Sequence, residues 1–540
     1  MREHSRKRAE RRSAPNLVPA QKQGARAQRL VPILLCLILA CGAFLRFHEI
    51  ATIPPALCSD EAMNGNDALE NLGTGRLAVF YPENGGREGL FINVQTAFVY
   101  LFGNKAWALR LPSAIFGTLT IWGVYCLAAE LYSVPAGLLA SFFLATSFWH
   151  INFSRIGLRA ITSVFFLVWA LYFLLDALRR ARQGRPHPGR MAWAGAVYGL
   201  GFYTYIAYRA SPPLMALILV YAYVHARRNG RVAALARASA VYALTAIAVV
   251  VPLALYFVGN PEMLSHRSAE VSIFSMPRPF VELLLNIRKT IQMIFTKGDY
   301  DWLHNIAWRP MIFWPVAVLF ALGIALGMAA LYRRARRGSE GGGGTAAWFA
   351  YALALLWLAL GAAPAVLSRE NMPNAIRSIL MLPAIVMLAA AGGCWLYGHL
   401  ARKLSPRWLQ VASAGILLAL VGEAYHSYFD VWATSFDVTQ VFNIAGANIA
   451  DRINALPKTA PKHVIVVEPG APIGLPPPAQ TVMFLTGSYT KKGQEEGNIH
   501  YITRQAGDKL DGVPFCQQVG ATLQGDVFCL QVNWLRPPTF

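Results

Sequence analysis

Asp60 and Glu61 are adjacent carboxylates that follow the first hydrophobic stretch of the chain. Carboxylates at a membrane surface can take a proton from a substrate hydroxyl or bind a metal ion. A third carboxylate, Glu88, lies in the same hydrophilic segment, which spans residues 49–107. We therefore predict Asp60, Glu61 and Glu88 as the catalytic residues, and we leave a divalent metal open because no ligand set is evident.

Cationic and aromatic side chains follow several later apolar stretches, where the chain would leave a membrane. Ionisable residues at such depths are costly unless they are paired or in contact with water, so each is a candidate for function. Guanidinium groups suit a phosphate, which they bind through paired N–H donors. We expect the donor phosphate or sugar to be bound by Arg155, Arg159, Tyr205, Arg209, His304 and Arg377.

These groups suit the displacement of a phosphate leaving group from an activated sugar. A carboxylate would deprotonate the acceptor hydroxyl, while arginines or a metal would stabilise the departing lipid phosphate. Structural roles remain open at this point, since Asp60 is a favoured helix cap and Glu61 could serve only to pair with an arginine. Arg46 and Arg110 lie at the ends of apolar stretches, where we expect them to extend to the membrane surface.

The composition places these residues in a membrane protein. Of 540 residues, 55% are hydrophobic and 14% are charged, and the mean hydropathy is +0.38. The net charge of +21 comes from bursts of basic residues in alternate loops between apolar stretches. This positive-inside pattern predicts a cytoplasmic N-terminus and an extracytoplasmic C-terminus. The basic residues do not form one surface, so we expect no nucleic acid as a partner.

About eleven apolar stretches are long enough, or nearly so, to cross a bilayer as helices. They span residues 30–48, 108–130, 134–152, 157–178, 191–206, 211–226, 238–258, 311–331, 347–367, 375–397 and 408–424. The short fifth and sixth stretches could instead form one broken pair. The pattern predicts a polytopic all-α membrane protein with a second large outer loop at residues 259–309.

Three parts follow from this pattern: a basic cytoplasmic arm at 1–29, a transmembrane catalytic domain at 30–424 and an extracytoplasmic C-terminal domain at 425–540. In the last part we predict strands at 463–467 and 481–485 and a helix at 441–456, hence a small α/β or α+β domain. Cys516 and Cys529 flank a predicted hairpin, and a disulfide between them fits an oxidising compartment.

Several segments resemble the GT-C superfamily of integral-membrane glycosyltransferases, specifically the branch of the protein O-mannosyltransferases and the aminoarabinose transferases of lipid A. The resemblance covers roughly residues 30 to 400, and the order of its segments is more specific than any single motif. The segments are Asp60-Glu61-Ala62, Gly86 to Phe91, Leu101 to Gly103, Arg110 to Gly117, Ser147 to Arg155, and Gly201 to Tyr205 with Arg209.

The resemblance implies a polyprenyl- or dolichyl-phosphate sugar as donor and an active site on the outer or luminal face. It also implies that the first-loop carboxylate is catalytic or binds metal, a role that falls on Asp60 with Glu61 beside it. Two departures weigh against a two-carboxylate metal site. Arg159-Ala160 stands where many relatives have an aspartate, and Asn64 stands roughly where a tyrosine often occurs. A metal-free inverting displacement is at least as consistent with this sequence.

The sequence therefore predicts an inverting glycosyltransferase of a bacterial inner membrane, with Asp60 as general base and Glu61 orienting it or the acceptor. Its expected partners are a polyprenyl-phosphate-linked sugar, an acceptor protein, lipid or glycan, and the membrane lipid. Two alternatives stay open. A lipid-linked saccharide flippase or other transporter would need ionisable residues near the middle of the membrane. A non-catalytic membrane scaffold would tolerate loss of the first-loop carboxylates.

Overall fold

The computed structural model of the chain describes residues 25–182, 187–337, 345–369, 372–467, 477–503 and 523–531. It is mostly helical, which confirms the predicted fold class. Its first helices are α1 (Ala25–Phe47), α2 (Ser59–Thr74), α3 (Gly89–Phe102), α4 (Ala106–Leu131), α5 (Val134–Ala145), α6 (Phe148–Arg155) and α7 (Ala160–Arg182). Between α2 and α3, strands β1 (Phe80–Tyr81) and β2 (Arg87–Glu88) pair in antiparallel fashion.

The middle of the chain continues the helical bundle. It contains α8 (Pro188–Gly201), α9 (Pro212–Arg228), α10 (Val232–Gly259), α11 (Pro261–Glu270) and α12 (Pro279–Phe295). These are followed by α13 (Trp314–Arg337), α14 (Thr345–Val366), α15 (Leu382–Leu400) and α16 (Pro406–Tyr425). Helix α16 continues as a π-helix over His426–Trp432.

Among the described residues, eight helices are long and apolar enough to cross a membrane, namely α1, α4, α7, α10, α13, α14, α15 and α16. Helices α5 and α6 meet the same criteria only as a pair, bent by 59°. The bend occurs where Ser147 accepts a hydrogen bond from the His150 N–H, because a serine cap starts a new helix. The predicted fifth and sixth spans form α8 and α9, of 14 and 17 residues. The expected count of eleven spans is therefore not confirmed.

Two of these helices, α7 and α15, form the centre of the bundle. In the most apolar stretch of each helix, 72% of the residues are buried in α7 and 83% in α15, whereas 17% are buried in α1. Helices α13 and α15 approach closely at Gly323 and Gly392, where a Cβ atom would overlap backbone atoms of the facing helix. Small residues at such crossings allow the close backbone contact that stabilises helix pairs in membranes.

Helix α2, which carries Asp60 and Glu61, begins at Ser59 after the N-cap residue Cys58. The Glu61 carboxylate fixes this start, since it accepts a hydrogen bond of 3.1 Å from the Cys58 N–H, as in a capping box. Gly75 ends the helix with a φ of 68°, which glycine adopts at little cost. Asp60 is therefore not the cap, and it lies in the first turn, where the helix dipole stabilises a carboxylate.

The C-terminal part contains a small α/β unit. Strands β3 (Lys462–Val467), β4 (Ile499–Thr503) and β5 (Asp526–Gln531) form a parallel sheet in the order β4-β3-β5. Its helices are α17 (Phe436–Val441), α18 (Ile444–Ala455), α19 (Pro477–Thr486) and α20 (Lys491–Gly497). The strand predicted at 463–467 and the helix predicted at 441–456 are present as β3 and α18.

The strand predicted at 481–485 is wrong, because these residues belong to α19. Its first turn holds two prolines, whose fixed φ suits the start of a helix. Val482 packs with the residues of the sheet, whereas Phe484 packs with residues of α2. The sequence pattern of a short apolar helix that is buried on two sides is the same as that of a buried strand. Cys529 in β5 is disulfide-bonded, and Cys516 lies outside the described residues.

Candidate functional site

A small cavity opens beside the first turn of α2. It is lined by Asp60, Asn64, Asn84, Arg87, Leu158, Arg159, Ala160, Tyr205 and Ile376. Three of the predicted site residues, Asp60, Arg159 and Tyr205, therefore meet in one place although they are far apart in sequence. Arg159 directly precedes α7, and Tyr205 lies in the turn between α8 and α9. The cavity is thus built from the N-terminal ends of α2 and α7, from β2 and from segments that join helices.

Asp60 is exposed at this cavity. Its Oδ1 accepts a hydrogen bond of 2.8 Å from the side-chain amide of Asn84, in the loop between β1 and β2. Among the described residues, no arginine or lysine forms an ion pair with it. A carboxylate that is oriented by a neutral donor and not neutralised by a cation remains available to accept a proton.

Glu61 lies in a different environment, since it is fully buried and does not line the cavity. Its two oxygens accept hydrogen bonds from Arg110, at 2.9 Å from Nε and 3.2 Å from Nη2. Oε1 also accepts the N–H of Gly157 at 2.7 Å. The geometry therefore does not support the predicted role of Glu61 in orienting Asp60 or the acceptor. It agrees with the alternative, in which Glu61 pairs with an arginine.

Arg110 and Arg46 are both fully buried, so their expected extension to the membrane surface is wrong. Besides Glu61, Arg110 donates to the carbonyl of Pro54 at 2.7 Å. Arg46 donates to the carbonyls of Leu144 and Ala145, at 3.2 and 3.1 Å. These carbonyls end α5 and have no partner in their own helix, so a buried guanidinium satisfies them where the helix breaks.

Glu88 holds two of the predicted phosphate-binding arginines. It is buried, and its Oε2 lies 3.2 Å from Arg159 Nε while its Oε1 lies 3.4 Å from Arg209 Nη2. The Arg159 guanidinium also lies 5.6 Å from the centre of the Tyr205 ring, within the range of a cation–π contact. Because both Glu88 oxygens are occupied by arginines, this carboxylate is suited to positioning them and not to proton transfer.

Arg87 is a candidate that the sequence analysis did not select. It lines the cavity from β2, is almost fully buried, and pairs through Nη1 with Asp67 Oδ2 at 2.6 Å. Its Nη2 is buried without a hydrogen-bond partner. Burial raises the pKa of the Asp67 carboxyl to about 6, although Arg87 opposes this shift. The available signal was its place directly before Glu88 in the glycine-rich segment 85–89.

Arg155 lies away from the cavity. It is fully buried, donates to the carbonyls of Leu45 and Ile53, and stacks against Tyr428 and Phe429 at 5.1 and 5.0 Å from the ring centres. These contacts tie the end of α1 to the π-helix. The geometry favours a structural role for Arg155, so we do not retain it as a phosphate ligand.

His304 lies in the loop after α12 and is buried. Its Nδ1 is 2.9 Å from Asp299 Oδ2, and its ring stacks on Phe153 with centroids 5.5 Å apart. Asp299 Oδ2 also accepts the N–H of Ala375 at 2.7 Å, which joins this loop to the segment of Ile376 and Arg377. Arg377 is half-buried next to the cavity-lining Ile376. His304 and Arg377 therefore do not line the cavity, although the loop of His304 is hydrogen-bonded to the segment that contributes Ile376.

The protonation of His304 gives a testable pH dependence. Burial alone would lower its pKa, but the carboxylates of Asp301 and Asp299 outweigh burial and raise the pKa to about 9, with a smaller contribution from Asp60. The folded-state pKa thus exceeds the unfolded value of about 6.5. Protonated His304 should therefore stabilise the fold below about pH 6.5 by about 3 kcal/mol, and this stabilisation should be lost as the pH rises toward 9.

Thermal unfolding of the purified protein between pH 6.5 and 9 measures this effect. We expect the wild-type midpoint to fall across this range and the midpoint of His304→Gln to change much less. Equal pH profiles for the two proteins would contradict a raised pKa.

No group of three or more His, Cys, Asp or Glu side chains able to hold a metal ion occurs in the part of the chain that is described. Asp60 and Glu61 diverge, since one faces the cavity and the other faces Arg110. The adjacent pair therefore does not form a two-carboxylate site.

Comparison with known proteins identifies proteins that are similar to this chain. Residues 90–258 match the model of the dolichyl-phosphate-mannose-protein mannosyltransferase family. The putative mannosyltransferase YkcB of Bacillus subtilis (strain 168) is 25% identical over 209 residues. This match covers 36% of the present chain and 27% of YkcB, so the chain spans about a quarter of that relative's length.

Solved structures match over almost the whole chain. ArnT from Cupriavidus metallidurans in the apo state superposes with a TM-score of 0.52 and 15% identity, covering 94% of this chain and 90% of ArnT. The apo oligosaccharyltransferase of Archaeoglobus fulgidus gives 0.51 and 15% identity, covering 86% and 65%. The chain has the GT-C fold.

The predicted resemblance to GT-C proteins is thereby confirmed. A further GT-C structure, the archaeal oligosaccharyltransferase AglB from Archaeoglobus fulgidus with an inhibitory peptide and a dolichol-phosphate, matches with a TM-score of 0.50 and 14% identity, covering 89% of this chain and 70% of AglB. The family match includes Arg159, Tyr205 and Arg209 but begins after Asp60 and Arg87. The GT-C fold thus accounts for the scaffold, while the roles of the cavity residues rest on their geometry.

Proposed function

We propose that this protein is an inverting glycosyltransferase that moves a sugar from a polyprenyl-phosphate donor to an acceptor hydroxyl at the outer face of a bacterial inner membrane. The observation that carries the proposal is the cavity that the exposed Asp60 lines together with Arg87 and Arg159. A base and a phosphate-binding cation on two sides of one small space are what an in-line displacement needs.

The donor phosphate binds at the arginine side of this cavity. Arg159 is held by Glu88 and by the carbonyl of Gly86 at 3.3 Å, which fixes its orientation before substrate arrives. Arg87 has a buried Nη2 without a partner, and such a donor gains a hydrogen bond when an anion enters. Arg209, on the other oxygen of Glu88, extends the cationic surface. The dolichol-phosphate bound by AglB supports a lipid phosphate as the donor's carrier.

Asp60 acts as the general base in this proposal. It removes the proton of the acceptor hydroxyl while that oxygen attacks the anomeric carbon of the sugar. The bond between this carbon and the phosphate oxygen breaks, and its electron pair leaves with the lipid phosphate. The arginines stabilise the charge that develops on the phosphate. Attack on the face opposite the leaving group inverts the anomeric configuration.

The topology supports an outer-face reaction. The positive-inside pattern predicts that the N-terminus is cytoplasmic, which places the loops after α1 and before α7 on the opposite side. Asp60, in α2, belongs to the first of these outer segments, and Arg159 belongs to the second. The acceptor, whether protein, lipid or glycan, would then reach Asp60 from the extracytoplasmic side.

The test is transfer by the purified protein in lipid nanodiscs. Polyprenyl phosphates carrying different radiolabelled monosaccharides are supplied with membrane extract as the source of acceptor, and labelled products are separated from donor. We expect label in a new product whose glycosidic bond has the opposite anomeric configuration to the donor. Retention of configuration would overturn the inverting mechanism. In sealed proteoliposomes, donor that crosses the membrane without forming product would indicate a flippase instead.

Replacing Arg159 gives a quantitative test of phosphate binding. We expect Arg159→Gln to lower kcat/KM for the lipid donor by about 10²-fold or more, because it removes a positioned cation from the leaving group. Arg159→Lys keeps the charge but loses the planar fork, so its loss should be smaller. The control is Arg76→Gln, since Arg76 is exposed on the same outer segment and does not line the cavity. Equal activity of Arg159→Gln and the control would exclude Arg159 from the donor site.

A further inference from the structure

We propose that the C-terminal domain positions the catalytic base, because its helix α19 holds α2 and thereby Asp60. Gln480 and Phe484 of α19 are positioning residues in this scheme, since they act through α2 and do not touch the cavity. The inference rests on the proposed role of Asp60 as the base. It assigns a function to a domain that the matched family segment, residues 90–258, does not include.

Polar contacts join the two helices. The side-chain amide of Asn66, in the middle of α2, donates to Gln480 Oε1 at 2.7 Å and to the Gln480 carbonyl at 3.1 Å. Thr481 Oγ1 lies 3.5 Å from the carbonyl of Leu57, just before α2. Asn66, Gln480 and Thr481 are all buried. Buried hydrogen bonds between side chains fix register, because leaving one member unpaired costs the desolvation of that group.

Packing between the helices is equally close. Phe484 is fully buried and shares one apolar cluster with Leu57, Ala62 and Ala68 of the α2 region. It lies against Gly65, where a Cβ atom would be 2.5 Å from Phe484 Cδ2. Glycine at this position of α2 therefore permits the approach of the aromatic ring and of Leu109 in α4, whose Cδ1 would be 2.8 Å from the same Cβ atom. The interface between α2 and α19 therefore consists of close packing between specific buried side chains.

The end of α19 and the residues after it also contact the first outer loop. Asn104, after α3, donates to the carbonyls of Phe484 and Leu485 at 3.0 and 2.8 Å. Beyond α19, burial raises the pKa of Tyr489 to about 12, and the carboxylates of Glu83 and Asp67 contribute to the shift. The C-terminal domain thus contacts α2 and the first outer loop, at a place where Leu109 of α4 also belongs to the apolar cluster.

This placement connects the domain to the chemistry. One face of α2 holds Gly65 and Asn66 against α19, while another presents Asp60 and Asn64 to the cavity. A rigid helix transmits a shift of one face to the other. Misplacing a catalytic group by about 1 Å can cost on the order of 10²-fold in rate. The domain therefore sets the distance between the base and the donor phosphate.

The experiment adds and then relieves a clash at this interface in the full-length protein in nanodiscs. We expect Gly65→Ala, which places a methyl group against Phe484, to lower kcat for sugar transfer at least tenfold while KM for the donor changes less than threefold. The double variant Gly65→Ala with Phe484→Val should recover part of the lost kcat, because it removes the nearest clash and leaves the one with the flexible end of Leu109, at 2.8 Å. The matched control is Gly73→Ala, on the same helix, where a Cβ atom meets nothing within 4 Å.

A second variant covers the case in which Gly65→Ala does not fold. Gln480→Ala removes the side-chain hydrogen bond from Asn66 at 2.7 Å, keeps the one to the backbone carbonyl and adds no atoms. It should also lower kcat more than it changes KM. Wild-type kcat in both Gly65→Ala and Gln480→Ala would overturn the inference. This failure is separate from failure of the proposed function, which would be seen as more than a tenth of wild-type kcat in Asp60→Asn or as no transfer by the wild type.

Discussion

Asp60→Asn is expected to lower kcat for sugar transfer by about 10²- to 10⁴-fold, the usual contribution of a general base. Asparagine has nearly the same shape as aspartate, and its carbonyl oxygen can still accept the hydrogen bond from Asn84. Asp60 is exposed and forms no ion pair with a described residue, so its charge is not needed to hold α2 in place. The loss should therefore be specific to chemistry, with KM for the donor little changed.

The matched control for this substitution is Glu70→Gln. Glu70 is an exposed carboxylate on the same helix, and it does not line the cavity. Thermal unfolding and membrane yield should be the same for both variants and the wild type. If Asp60→Asn keeps more than a tenth of wild-type kcat, another group removes the proton and Asp60 is excluded as the base.

Glu61→Gln should have a large effect of a different kind. Removing its charge leaves the buried guanidinium of Arg110 without its counter-ion, and breaking one side of a buried ion pair costs about 3–5 kcal/mol. The neutral amide also cannot accept all of the hydrogen bonds from Arg110, Gly157 and the Cys58 N–H. We expect a clear fall in the thermal midpoint and in the yield of folded protein.

A double replacement separates a structural role of Glu61 from a catalytic one. Replacing both partners of a buried pair by uncharged residues is much milder than replacing one. Glu61→Gln with Arg110→Met should therefore recover part of the lost stability, and activity should return with it. A Glu61→Gln protein that unfolds at the wild-type temperature but has lost transfer would instead support the catalytic role predicted from the sequence.

The sequence was informative about which residues lie at the same end of the helical bundle. Asp60, Arg159 and Tyr205 were selected because each follows or precedes an apolar stretch at its predicted outer end. Loops at the same end of a helical bundle lie close together, so such residues meet in one cavity. Helix content and the parallel strand β3 were likewise predictable from local pattern, since they depend on the periodicity of apolar residues.

The sequence was not informative where a role depends on the direction in which a side chain points. Asp60 and Glu61 are adjacent, but successive residues of a helix point about 100° apart, so one faces the cavity and the other Arg110. Arg46 and Arg155 were assigned to the surface or the ligand because burial of an arginine depends on unpaired carbonyls that only the fold brings near. The misassigned strand at 481–485 has the same cause, because α19 buries two faces at once.

Glu88 has a consequence for the end of the catalytic cycle. One carboxylate shared by Arg159 and Arg209 leaves this trio with one positive charge in excess. A lipid-linked sugar phosphate is a diester with a single negative charge, whereas the spent carrier is a monoester whose second pKa is about 6 and whose charge approaches −2. In the proposed reaction, the same residues would hold the spent carrier more tightly than the fresh donor. Free polyprenyl phosphate should then compete with the donor for this site.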